Sequence, residues 1–198
     1  MEMKIIEAFE MWENEVQPFI VEKYGENDFP ALAESWNDFT DILCKDGELT
    51  SLQYHYAPAY DEGMPDDDLE YILDQLGIEF HCETIPARTD GLMSDMPAGT
   101  RHFECTFYQG NTPALVVQYS QGPAHMGMPT REEVLQSIMQ DIAYADYDFE
   151  EFCNEMGYDT DSRTAESIYN AVVEQNEIVQ AMFTADEIAD LQQLFYDF

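Results

Sequence analysis

Carboxylates are the side chains abundant enough and regular enough in spacing to define a chemistry in this sequence. Asp and Glu number 42 against 7 Lys and Arg, for a net charge of −35. Glu7, Glu10 and Glu13 recur every third residue, Glu34, Asp38 and Asp41 at steps of four and three, and Asp148, Glu150, Glu151 and Glu155 close together near Asp146. On a helix, side chains three or four residues apart lie about 5–6 Å from one another. Phosphates on duplex DNA are separated by distances of the same order. The chemistry implied is electrostatic: rows of fixed negative charge, without counter-charges, able to occupy the basic groove of a nucleic-acid-binding protein. The plainer alternatives are a solvated acidic face or adaptation to a halophilic cytoplasm. Direct binding to nucleic acid or to anionic membranes is excluded, since both require positive charge.

Other reactive residues form no recognisable constellation. The cysteines at 44, 82, 105 and 153 are widely spaced and include no CxxC, which argues against a zinc ribbon or a thioredoxin-type site. His81 and His102 fall on predicted strands and could become neighbours, with Cys82 and Cys105 nearby; satisfied sheet residues are the simpler reading. Asp159-Thr160-Asp161-Ser162 looks like the start of a phosphatase or calcium loop. Its context is wrong for either, and capping of the next helix, by Asp161, explains it better. Asp66, Asp67 and Asp68 suit the positive end of the helix they precede. There is no Gly-rich phosphate loop, no GxSxG and no HExxH. The expectation is therefore a non-enzyme with no catalytic residues, no metal and no cofactor; a metal-dependent enzyme is the least supported alternative.

The elements that must hold these residues follow from periodicity. The fold class expected is α+β, mostly helical, with a small three-stranded antiparallel sheet in the middle of the chain. The sheet is predicted from Arg101–Gly122. There Phe103, Cys105 and Phe107 alternate with more polar neighbours, and a Gln109–Pro113 turn leads into an apolar run. Ile78–Pro86 supplies the first strand. The hairpin is nearly free of acid: residues 100–129 contain only Glu104. His102, Phe107, Tyr108 and Tyr119 on this neutral sheet have two readings: core residues for the most part, while alternation puts about half of them on the other face, where an uncharged aromatic patch could dimerise or seat a partner.

Before the sheet, Ile5, Phe9, Trp12, Val16 and Phe19-Ile20 form a helical stripe that Pro18 kinks or splits. Leu32, Trp36, Phe39 and Leu43 form another, opened by Asp28 and stopped by Gly47. Thr50 with Gln53, Thr130 with Glu133, and Thr184 with Glu187 are capping boxes. Composition divides the chain into an acidic helical region, 1–60, and an α+β region, 61–198, with one continuous domain as the alternative. The charged, amphipathic start is unlike a secretory signal, and no apolar run approaches the roughly 20 residues that span a bilayer. Free thiols in the cytoplasm of a bacterial host are the expectation.

Two segments carry a resemblance. SWNDFTDILCKDGELTSLQYHYAP (35–58) resembles a helix-turn-helix-shaped segment of small proteins encoded by phages, prophages and plasmids. FEEFCNEMGYDTDSRTAESIYNAVVEQ (149–175) resembles a C-terminal module of similar phage-type proteins. The resemblance implies a mobile-element origin and transfers no catalytic residues. In size and charge the chain is also similar to the acidic DNA-mimic antirestriction and anti-CRISPR proteins of such elements. The function expected is a counter-defence inhibitor. Glu7, Glu10, Glu13, Glu34, Asp38, Asp41, Asp148, Glu150, Glu151 and Glu155 would meet the basic cleft of a restriction enzyme or CRISPR effector. The alternative is an interaction module, or a homodimer, that works through the neutral sheet.

Overall fold

The computed structural model describes residues 3–86, 98–110 and 112–196. The fold is α+β, with one three-stranded antiparallel sheet in the order β1-β2-β3 and helices before and after it. Two compact units emerge: Met1–Leu76 with Ala189–Phe198, and Gly77–Ile188. Their boundary lies beyond residue 60, where composition changes, because hydrogen bonds from the start of the chain reach forward to Asp68.

The first unit contains α1 (Ile5–Glu15), α2 (Gln17–Tyr24), α3 (Phe29–Lys45), α4 (Ser51–Tyr56) and α5 (Asp68–Gln75). Pro18 occupies the first turn of α2, where its missing N–H leaves no helical bond unmade, so of the expected kink or split the structure has the split, at Val16. The break has a consequence the stripe did not foresee. Phe19 is 68% exposed and no α2 side chain is fully buried, although Ile20 and Val21 pack half-buried against the core, because the interruption shifts the helical phase after Trp12. Asp28 caps α3 through Ala31 N–H, and Gly47 takes a positive φ of 76° just after its end. Thr50 and Gln53 close the expected capping box on α4. The core is aromatic. Trp12 and Trp36 are buried, their rings 5.8 Å apart, and Phe9 meets Trp36 edge-on at 5.4 Å.

The second unit is built on β1 (Ile78–Ile85), β2 (Arg101–Gln109) and β3 (Thr112–Gln121). Opposed pairs include Phe80 with Phe107, Cys82 with Cys105, Phe103 with Tyr119 and Cys105 with Val117. A register shift falls between Phe107 and Tyr108. One face carries Ile78, Phe103, Cys105, Phe107, Leu115 and Val117, all buried. The other carries Glu79, His81, Glu83, Glu104, Thr106, Tyr108, Val116 and Gln118. The helices here are α6 (Arg131–Ile142), α7 (Phe149–Met156) and α8 (Arg163–Met182); α9 (Ala185–Tyr196) follows and its later part belongs to the first unit. Arg131 Nη1 donates to Ile78 O at 2.8 Å, fixing the start of α6 to the start of β1. Ser162, not Asp161, caps α8: its Oγ accepts Ala165 N–H at 3.2 Å. Serine and aspartate cap about equally well, so the sequence alone did not separate adjacent positions.

Candidate functional site

The acids on α1 and α3 are held by the aromatic core beneath them. Trp12 Nε1 donates to Ser35 Oγ at 3.2 Å, and the packed indoles fix the two helices against each other. Glu7, Glu10, Glu13, Glu34 and Asp38 are exposed. Asp41 is half-buried and forms an i,i+4 ion pair with Lys45. That hydrogen bond and the charge of Asp41, with a smaller contribution from Asp38, hold the Lys45 ammonium above its ordinary range. Glu7 Oε2 accepts Lys4 N–H at 3.0 Å and so closes the start of α1.

The third cluster belongs to the other unit and divides the same way. Asp148 is the N-cap of α7, its Oδ1 accepting Glu151 N–H at 2.9 Å, while Glu151 Oε2 accepts Asp148 N–H at 3.1 Å. Glu150 and Glu155 are exposed. The predicted set therefore sorts by role. Glu7, Asp148 and Glu151 serve helix starts, and Asp41 serves a lysine. Glu10, Glu13, Glu34, Asp38, Glu150 and Glu155 are exposed carboxylates whose side chains make no hydrogen bond or ion pair among the described residues. The distinction was available in outline, since a capping box is a sequence pattern.

The second predicted set divides between the two faces of the sheet, as alternation implies. Phe107 is fully buried and Tyr119 is half-buried on the same side of the sheet, opposite Phe103 across the β2–β3 ladder. Burial, with Glu133 close by, raises the Tyr119 phenol above its ordinary value. His102 and Tyr108 point to the other side. There His102 is 5% exposed, its Nδ1 2.9 Å from Ser120 Oγ, and Tyr108 is paired across the ladder with Glu79. This second face is not neutral either: Glu83 stands directly opposite Glu104. The acid-poor stretch in the sequence is one strand pair, and β1 brings further acids beside it.

The histidines do not converge. His81 pairs with Thr106 and His102 with Ile85. Among the described residues no group of three or more His, Cys, Asp or Glu is placed to hold a metal ion, and no helix is long and apolar enough to cross a membrane. Two constellations were missed. The first is Asp68, which turns away from solvent and is 4% exposed. Its Oδ2 accepts both Ile5 N–H at 2.8 Å and Gln53 Nε2–H at 2.7 Å, and Oδ1 has no hydrogen-bond partner. Loss of solvent raises its carboxyl above the ordinary range, partly opposed by those two bonds and by Lys4. The run of three aspartates hid this, since Asp67 alone caps α5. The second is the Cys82–Cys105 pair, whose sulfurs lie 2.9 Å apart.

Comparison with protein-family models, curated proteins and solved structures yields no match to this chain.

Proposed function

We propose that the protein is a non-enzymatic inhibitor that presents fixed negative charge to the basic nucleic-acid-binding surface of another protein. A restriction enzyme or CRISPR effector of the bacterial host is the partner that the phage-type resemblance favours. One observation carries this reading: on the packed helices α1 and α3, Glu10, Glu13, Glu34 and Asp38 are exposed and make no ion pair among the described residues. An acidic surface serving only solubility can be scattered and mobile. Here the carboxylates stand on helices anchored by Trp12 and Trp36, so the charge pattern is preorganised, and association with an opposite charge should be fast and salt-sensitive.

Competition tests this. The protein is used to capture a binder from a bacterial lysate at low ionic strength, and duplex DNA or RNA is then added. Release of the captured protein by nucleic acid, and loss of capture at high salt, are expected. The combined Glu10→Gln, Glu13→Gln, Glu34→Gln and Asp38→Asn variant should weaken capture at least tenfold while single changes do little. A captured protein that holds nucleic acid and this chain together, or that binds the combined variant equally well, would defeat the proposal.

A further inference from the structure

Three features stand outside the proposed function: the exposed apolar side chains of α2, the buried Asp68 carboxylate, and the facing thiols of the sheet. The thiols carry an inference furthest. We propose that Cys82 and Cys105 are a redox-active pair that closes to a reversible disulfide between β1 and β2.

The register places these residues directly opposite each other. Opposed residues of an antiparallel pair have Cα atoms about 4.5–5.5 Å apart, within the roughly 4.4–6.8 Å a disulfide spans. The side chains also point the right way, because the two sulfurs already approach to 2.9 Å. Closing the bond requires little backbone movement. All four cysteines are thiols in this structure. Cys44 is half-buried against the first unit's core, and Cys153 is buried beside Phe152 and Ala165.

Access decides the order of events. Cys105 is fully buried on the central strand, whereas Cys82 is half-buried on β1, an edge of the sheet. The Cys82 thiolate attacks one sulfur of a small disulfide such as oxidised glutathione. A mixed disulfide forms, and one glutathione leaves as thiolate and takes up a proton. Cys105 then gives its proton to solvent, and its sulfur attacks Cys82 Sγ and displaces the second glutathione, which is protonated in turn. Two protein thiols are oxidised and one glutathione disulfide is reduced to two thiols. Burial holds both thiols above their ordinary range. The contact between the two sulfurs eases that shift at Cys82 and deepens it at Cys105, which fits Cys82 as the first attacker. Exchange is slow for the same reason.

The test uses the full chain in glutathione buffers running from reducing to oxidising, followed by acid quench, alkylation and mass spectrometry. A loss of two hydrogens, a linked peptide pair containing Cys82 and Cys105, and alkylation confined to Cys44 and Cys153 are expected. The oxidised protein should melt at a higher temperature than the reduced one. The Cys82→Ser variant should fold, and show neither the linked peptides nor the shift. Four alkylatable thiols after the most oxidising buffer would overturn the proposal. So would glutathione left on Cys82, or a bond involving Cys44 or Cys153. Should Cys82→Ser fail to fold, the peptide map of the unaltered chain decides alone.

Discussion

Asp68 offers the sharpest check on the account of the first unit. Both of its hydrogen bonds fall on Oδ2, and the atom with no partner is Oδ1. One bond comes from Ile5 N–H, an orphan donor at the start of α1; the other comes from Gln53, which also donates to Met3 O at 3.0 Å. Asp68→Ala removes the acceptor for both. Each bond to a charged group contributes about 1.5–3 kcal/mol net, and part is returned because no carboxylate need be buried, leaving a loss of about 2–4 kcal/mol. Asp68→Asn behaves differently. Its oxygen can occupy the Oδ2 position and accept both bonds, and the burial penalty on charge disappears, so its effect at neutral pH stays within about 1 kcal/mol.

The pH dependence follows in sign. Desolvation raises the folded-state pKa above the unfolded value, so across that interval the folded state holds more proton. Stability from this group is therefore greatest below the ordinary carboxylate range and is lost as pH rises through the raised value. The asparagine variant has no such term. Its stability relative to the unaltered chain should fall as pH is lowered through that window. Both tryptophans, Trp12 and Trp36, lie in the first unit, so tryptophan fluorescence during urea unfolding reports on that unit. Asparagine as damaging as alanine, or a difference between Asp68→Asn and the unaltered chain that does not move with pH, would refute the reasoning.

Two further outcomes follow from other places in the fold. Glu83 and Glu104 face each other across β1 and β2, and Glu83 is exposed. Glu83→Lys should therefore stabilise the second unit by about 0.2–1 kcal/mol, read as an upward shift in the urea midpoint by circular dichroism; no gain would mean that the like-charge pair is fully screened. At α7, Asp148→Ala should destabilise by about 1 kcal/mol through loss of the cap. Its effect on capture of a basic partner should be much smaller than that of the combined change on α1 and α3.

Local signals in the sequence were strong wherever one residue's chemistry decided the outcome. The capping boxes at Thr50, Thr130 and Thr184 and the stop at Gly47 stand where the pattern put them. The alternation of Phe103, Cys105 and Phe107 fixed a strand and the face it buries. What the sequence could not supply was long-range partnership. Nothing local to Asp68 distinguishes it from Asp67, since its environment is made by Ile5 and Gln53, which approach only on folding. Phe19 lost its place in the core through a change of helical phase at Val16, which a stripe read straight through Pro18 does not register. The neutral hairpin misled for a related reason. Charge counted along the chain missed Glu79 and Glu83, which the register of β1 sets beside Tyr108 and Glu104.

The same register of roles bears on how the negative charge is to be understood. A portion of it is structural. Glu7, Asp28, Asp67, Glu133, Asp148, Glu151 and Glu187 accept backbone N–H groups at helix starts, where the helix dipole favours an anion. Such acids reduce the self-repulsion that a charge of −35 imposes, because each is matched to a local positive end. Glu10, Glu13, Glu34 and Asp38 on α1 and α3 cap no helix start, and they stand on the part of the first unit with the densest aromatic packing. Adaptation to high salt would call for acid everywhere on the surface and set no requirement on where it sits. Recognition of a basic groove requires rows in fixed positions. Neutralising Glu10, Glu13, Glu34 and Asp38 therefore separates the two: in the first case stability at low salt rises and nothing else changes, and in the second the partner is lost as well.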